Sequence, residues 1–298
     1  MNRVGRTTVT GRAHAMIDPV IVDAHHHLWD PARRAYPWME GDALTPLRRP
    51  YTLDDLREVT AGRVERTVLV QTVSDESETV GFLATARASD GLIAGVVGWV
   101  DLAAPDVAGR IGALRERPGG ERLVGIRHQV QDEPDPGWLL RPEVGRGLRA
   151  VAAAGLTYDL LVLVPQLPVA IRVVRELPEL RFVLDHLAKP GIAARAWEPW
   201  ASHLAELASL PNVSAKISGL VTEADWKGWT PADIAPYASH ALDVFGADRL
   251  MLGSDWPVCT LAASYGDVWA LADALTGGLS DTERAAMLGG TAARAYRF

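Results

Sequence analysis

The chain has 298 residues, 48% of them hydrophobic, with 30 Lys and Arg against 37 Asp and Glu for a formal net charge of −7. That length can bury a full core, while the acidic balance excludes nucleic acid as the expected partner, because a phosphate-binding surface needs a basic excess. The single cysteine, Cys259, excludes an internal disulfide, and no apolar run approaches the ~20 residues that a spanning helix needs. A cytoplasmic protein acting on a small molecule is expected, with no membrane partner and with homo-oligomer formation left open.

Residues 1–16 are basic, lack an apolar block and read as a disordered tail, with Met16 a candidate start. Residues 17–298 read as one domain. Its first apolar run, 20–24, leads straight into three histidines, His25, His26 and His27. A helical pattern at 54–60 follows, then the run TVLVQ at 67–71 and a helix at 77–88. Next come a run at 93–100, a helix at 106–117, a run at 123–128 and a helix at 142–154 that starts on Pro142 and stops at Gly155. The second half repeats the scheme. Runs fall at 156–162, 181–186, 213–218 and 250–255, with helices at 168–177, 196–210, 231–245 and 266–275. Two further helical pieces, 281–288 and 291–296, read as a cap.

Several of these runs are apolar throughout, as strands buried on both faces must be, which points to a parallel sheet. Eight strand–helix units in one domain predict an α/β fold of the closed (β/α)8 TIM-barrel kind. An open doubly wound sheet would place a glycine-rich phosphate loop after the first strand, where this chain has His-His-His.

Polar residues gather at one end of these runs, where a barrel carries its active site. The second run ends in Gln71, and the fourth in Arg127 and His128. The fifth carries Tyr158 and Asp159, and the sixth ends in Asp185 and His186 with Lys189 behind. The seventh carries Lys216 and Ser218, and the eighth ends in Ser254, Asp255 and Trp256. Side chains alternate along a strand, so His25 and His27 share a face and can grip one divalent ion while His26 points away. Ring closure would bring Asp255 beside them as a third ligand, with His186 a fourth candidate. Nitrogen and oxygen donors without thiolate suit Zn or Mn. His128 is a candidate ligand, proton donor or satisfied strand-end group, and Cys259 reads as a small buried residue.

At this point the sequence resembles the amidohydrolase superfamily. The segments DAHHHLWDPARRAYPWM, GIRHQVQDEPDPGWLLRPEV, FVLDHLAKPGI, SAKISGLVTEADW and LMLGSDWPVC resemble its sugar-acid lactonase branch, which holds enzymes of the L-fuconolactonase and L-rhamnonolactonase type. The resemblance departs from binuclear members at strands 4 and 5, where His128 and Tyr158 stand in place of a bridging lysine and a histidine. It therefore implies one metal ion and leaves open whether that ion is essential. The expected activity is hydrolysis of a neutral sugar-derived lactone. Asp255, His128 and His186 are candidate catalytic residues, and His25, His27, His186 and Asp255 are candidate metal ligands. Trp29, Gln71, Arg127, Tyr158, Lys189 and Trp256 are candidate substrate contacts. A metal-dependent decarboxylase of the same superfamily would use the same ligands, and a barrel that binds without catalysis is the remaining alternative.

Overall fold

A computed structural model describes residues 20–298; the expected tail at 1–16 lies outside the described residues. Eight parallel strands form one sheet in sequence order: β1 (Val22–His26), β2 (Arg66–Val70), β3 (Ile93–Gly98), β4 (Leu123–His128), β5 (Thr157–Leu160), β6 (Arg181–Leu184), β7 (Val213–Ile217) and β8 (Leu250–Leu252). The ring closes through backbone bonds from His27 N to the Trp256 carbonyl at 2.7 Å and from Asp255 N to the His25 carbonyl at 2.8 Å. The fold is thus a (β/α)8 barrel. Among the described residues no helix is long and apolar enough to cross a membrane.

Helices α1 (Leu53–Thr60), α2 (Glu76–Arg87), α3 (Val107–Arg115), α4 (Pro142–Ala153), α5 (Leu167–Glu176), α6 (Trp200–Ala208), α7 (Leu220–Glu223), α8 (Pro231–Phe245) and α9 (Tyr265–Thr276) follow the strands. The chain ends in α10 (Asp281–Ala285), a π-turn, and α11 (Thr291–Tyr296). The starts of α1, α8, α9 and α10 share one device. A Ser or Thr caps the helix and is answered by an acid three residues on: Thr52 with Asp55, Thr230 with Asp233, Ser264 with Asp267, and Ser280 with Glu283. At α1, α9 and α10 each pair satisfies two otherwise unpaired N–H groups, worth roughly 1 kcal/mol per cap, while at α8 Asp233 accepts from Thr230 N and Oγ1.

The core has two layers. The larger packs the outward strand residues against the helices, with Trp200, Trp269, Tyr158 and Phe182 fully buried. The smaller fills the barrel itself with Val22, Ala24, Val68, Val70, Val97, Val124, Val183 and Met251. α11 closes the foot of the barrel: Ala292, Ala295 and Tyr296 join this inner cluster, and the Ala295 carbonyl accepts from Thr157 Oγ1 at 2.8 Å. The apolar filling lies below the polar strand ends, which carry His25, His27, Arg127 and Asp255.

Strand ends depart most from the sequence expectation. β1 starts two residues later and includes His25 and His26. β6 and β8 stop earlier, because the chain after each turns into left-handed backbone at His186 (φ 52°) and Asp255 (φ 56°).

Candidate active site

β1 sets the first ligands. A register shift between Asp23 and His26 lets Asp23 and His26 both face outward, which is how a bulge re-aims a side chain. Asp23 accepts from Ser254 N at 2.8 Å, Ser254 Oγ at 2.6 Å and Tyr265 OH at 3.1 Å, which anchors β1 to the end of β8. His26 Nε2 meets Thr67 Oγ1 at 2.9 Å. His25 and His27 face inward, with Nε2 atoms 3.1 Å apart. Asp255 Oδ1 lies 3.3 Å from His27 Nε2 and 3.7 Å from His25 Nε2. Gly253 permits this approach, since a Cβ there would stand 2.8 Å from His25 Cβ.

These three residues fit a divalent ion. Two ligands about 2.0–2.1 Å from one tetrahedral centre stand about 3.3–3.4 Å apart, and the three separations bracket that value. His27 Nδ1 donates to the Val70 carbonyl at 2.8 Å, leaving the Nε2 lone pair free to ligate. Asp255 Oδ1 is buried without a hydrogen-bond donor, an orphaned acceptor that a cation would satisfy. Burial pushes the Asp255 carboxyl up, but His186, His27 and Lys189 outweigh it and hold the group below the ordinary carboxylate range. A second cluster, His25, Asp185 and His186, also brings its ligand atoms together. There Asp185 is already neutralised by Arg127 at 2.9 Å and Lys216 at 3.0 Å, so the first cluster is the better dication site.

The loop after β6 holds the longest run of left-handed backbone among the described residues. His186, Leu187, Ala188 and Lys189 are all left-handed, with φ between 50° and 60°, at a cost of roughly 1–2 kcal/mol per residue. Burial of Leu187 and Ala188 and a 2.7 Å bond from Trp200 Nε1 to the Leu187 carbonyl hold it there. The result is that His186 and Lys189, three residues apart, both reach the mouth of the barrel. His186 Nδ1 pairs with Ser218 Oγ at 2.9 Å, and burial lowers its pKa to about 4. Gly219, at φ +64°, leaves room for it: a Cβ would lie 2.7 Å from His186 Nδ1 and 3.0 Å from Asp255 Oδ2.

Above these groups opens a cavity of about 240 Å³. His27, His186 and Asp255 form its floor with Arg127, and Lys189, Glu223, Thr72, Thr222, Gln129 and Gln131 its polar wall. Trp38 and Trp226 supply flat apolar faces. Burial raises the Glu223 carboxyl, Lys189 opposing and Asp255 reinforcing the shift. Beneath the floor lies a sealed group of charges. Lys216 Nζ donates to Asp159 Oδ2 at 2.7 Å, Tyr296 OH donates to the same oxygen at 2.6 Å, and Arg127 bridges Asp185 and Gln71. Burial would raise Asp185, but Lys216, His25 and Arg127 hold it well below the ordinary range. Asp159 is raised by burial to about 6, against the pull of Lys216.

The structure brings together His25, His27, Asp255, His186, Arg127 and Lys189, and separates several other expected site residues. His128 is corrected: Arg127 faces inward, so its neighbour on β4 faces out. His128 accepts from Trp99 Nε1 at 3.0 Å, pairs with Glu133 at 2.7 Å and stacks on Trp138 at 4.0 Å. Tyr158 is corrected for the same reason. Asp159 points inward, and Tyr158 is buried in the outer layer edge-on to Phe182. Trp29 and Trp256 lie behind the site, not on the cavity wall. Trp29 Nε1 donates to the Leu47 and Arg49 carbonyls at 3.0 and 3.1 Å, and both rings pack edge-on to Tyr51. Gln71 acts on Arg127, whose Nε donates to it at 3.1 Å. Sequence reasoning left Trp38, Glu223, Lys216, Asp159, Asp185 and Tyr296 without roles.

A family model for amidohydrolases matches residues 22–298. The chain is 40% identical over 287 residues to an L-fucono-1,5-lactonase from Burkholderia multivorans, covering 92% of this chain and 95% of that relative. It is similar to the crystal structure of a zinc-bound amidohydrolase from Burkholderia multivorans, with a TM-score of 0.87, 40% identity and coverage of 94% of this chain and 99% of that one. A manganese-bound 5-carboxyvanillate decarboxylase from Novosphingobium aromaticivorans shares the fold alone, at 13% identity and a TM-score of 0.65 over 94% of this chain and 96% of that one.

Proposed function

The chain belongs to the amidohydrolase family, and from that premise we propose that it hydrolyses a neutral sugar-derived lactone, an aldonolactone of the L-fucono-1,5-lactone kind, to the free acid. The observation that carries this reading is the meeting of Asp255 with His25 and His27 at the floor of a cavity walled by amides, hydroxyls and two indole faces. Such a wall suits a polyhydroxylated ring: Gln129, Gln131, Thr72 and Thr222 can pair with hydroxyls, and Trp38 and Trp226 can cover the ring's C–H faces. The reading needs few cations in the cavity, and among the described residues Arg127 and Lys189 line it.

Hydrolysis requires a nucleophilic water, a stabilised oxyanion and a protonated leaving oxygen. Asp255, held ionised, takes a proton from water as the water oxygen bonds to the lactone carbonyl carbon. Lys189 and Arg127 face the developing negative oxygen, where fixed donors help most. The ring C–O bond then breaks, and Asp255 returns its proton to the departing alkoxide. His186, kept neutral by burial and oriented by Ser218, lines the floor beside Asp255. A divalent ion held by His25, His27 and Asp255, with Zn the reading favoured here, would lower the pKa of water to about 7 or polarise the carbonyl. We place the enzyme in the cytoplasm, where its one buried thiol, Cys259, stays reduced.

The test is a screen of aldonolactones with a pH indicator, run with and without chelator. One equivalent of acid released per neutral lactone supports the reading. No turnover across the set, or carbon dioxide release from an aromatic acid, refutes it.

A further inference from the structure

Hydrogen bonds already made inside the protein decide what the cavity wall can offer a ligand. Thr222 Oγ1 donates its hydrogen to the Gly219 carbonyl at 2.7 Å. A carbonyl can only accept, so that hydroxyl keeps lone pairs alone for a ligand. Trp226 spends its N–H on the Thr222 carbonyl at 2.8 Å and offers the cavity its face. On the β2 side, Thr72 Oγ1 donates to Glu78 Oε1, while Glu78 Oε2 takes the Thr72 and Val73 N–H groups at 2.8 and 3.2 Å. Both threonines of the wall thus face a ligand as acceptors.

Glu223 adds a carboxylate beside Thr222. Its backbone is fixed: the Glu223 carbonyl accepts from Ala193 N at 2.9 Å, and its neighbours Val221 and Ala224 are buried. The residue lines the cavity. Among the described residues no donor bonds to its carboxylate, which Lys189 and Asp255 reach only through space. A half-buried carboxylate without a donor is a cost that a ligand's hydrogens would remove. A cationic ligand would meet Lys189 and Arg127 in the same cavity, so the donors that suit this wall are uncharged hydroxyls. Their bonds to a carboxylate are about twice as strong as bonds between neutral groups.

We infer that Glu223 is a specificity-determining residue, whose carboxylate accepts from a ring hydroxyl of the substrate with Thr222 and Thr72 as further acceptors. This rests on the reaction being lactone hydrolysis. A lactone that lacks the hydroxyl leaves the carboxylate shielded from water and unpaired, and a site built to bond a hydroxyl discriminates far more sharply than one that only fits its bulk.

The experiment measures acid release from L-fucono-1,5-lactone and from three analogues that each lack one ring hydroxyl. The full-length wild type is compared with Glu223→Ala and Glu223→Gln. The wild type should lose on the order of 10- to 100-fold in kcat/KM on one analogue. Glu223→Ala should lose a similar factor on the parent lactone, mainly through KM, and nothing further on that analogue. Glu223→Gln, which keeps an acceptor without the charge, should fall between. Equal losses by Glu223→Ala on the parent and all three analogues overturn the inference and reduce Glu223 to a counter-charge for Lys189. Wild-type kcat/KM in Glu223→Ala also overturns it. The same comparison with Glu223→Gln decides the matter where the alanine variant does not fold. Absence of wild-type turnover of L-fucono-1,5-lactone removes this inference, and absence of turnover across the whole aldonolactone set removes the lactone reading with it.

Discussion

Replacing Gly219 with alanine should damage turnover more than stability. The residue sits at φ +64°, so an alanine pays roughly 1–2 kcal/mol for left-handed backbone. Its Cβ would also lie 2.7 Å from His186 Nδ1, 3.0 Å from Asp255 Oδ2 and 3.1 Å from His186 Cγ. Ordinary contact begins near 3.4 Å, so His186 must retreat by several tenths of an ångström and Asp255 by slightly less. Each can yield only toward the cavity, because Ser218 holds the imidazole from one side and the Asp255 backbone is pinned to the His25 carbonyl. A shift of that size at the reacting groups costs on the order of 10- to 100-fold in rate. At roughly 2–4 °C per kcal/mol for a large domain, the backbone strain lowers Tm by only a few degrees. Steady-state acid release measures the first quantity and thermal unfolding by circular dichroism the second. A variant with wild-type kcat/KM would show that the His186–Asp255 spacing does not matter and that Asp255 is not the proton acceptor.

Asp255→Asn should lower kcat by at least 10³-fold with Tm nearly unchanged; residual activity within tenfold of wild type would remove Asp255 from its role. Tyr158→Phe should leave turnover and Tm unaltered or raise Tm slightly, because the buried hydroxyl has no hydrogen-bond partner and its removal deletes an unpaid desolvation cost. Burial lowers the His128 pKa, with Glu133 opposing, so its neutral form belongs to the folded state. That contribution is fully present above the unfolded histidine value of about 6.5 and is lost as pH falls through the lower folded value. The wild type should accordingly lose more Tm between pH 7 and pH 5 than His128→Phe does, and parallel Tm curves would contradict this. Chelation should reduce turnover and added Zn²⁺ restore it; full activity after exhaustive chelation would confine the ion to a dispensable role.

Periodicity made much of this legible. The apolar runs mark the strands, and one rule of alternation puts His25 and His27 on a common face. The same rule was available at β4 and β5. Gly125 and Arg127 share the inward face of β4, as Thr157 and Asp159 share that of β5, which turns His128 and Tyr158 outward. The eye is drawn to histidine and tyrosine, but parity decides. Other features carry no local signal. Nothing in His-Leu-Ala-Lys announces four left-handed residues, since none is glycine and only the packing of Leu187, Ala188 and Trp200 enforces the turn. Glu223 ends a four-residue helix too short for a period. Trp29 and Trp256 stand beside ligands in the sequence, yet their bulk is spent supporting the loop at Tyr51. Tyr296 reaches Asp159 across 137 residues, a pairing that only the closed ring creates.

That closure has a consequence for biosynthesis. The bond between Ser254 and Asp23 spans 231 residues, so the histidines leave the ribosome long before the carboxylate that completes their pocket. Contacts of such separation form late and slowly. A stalled or half-translated product would therefore hold no partly working centre, and any catalytic signal in a cell extract counts finished molecules only.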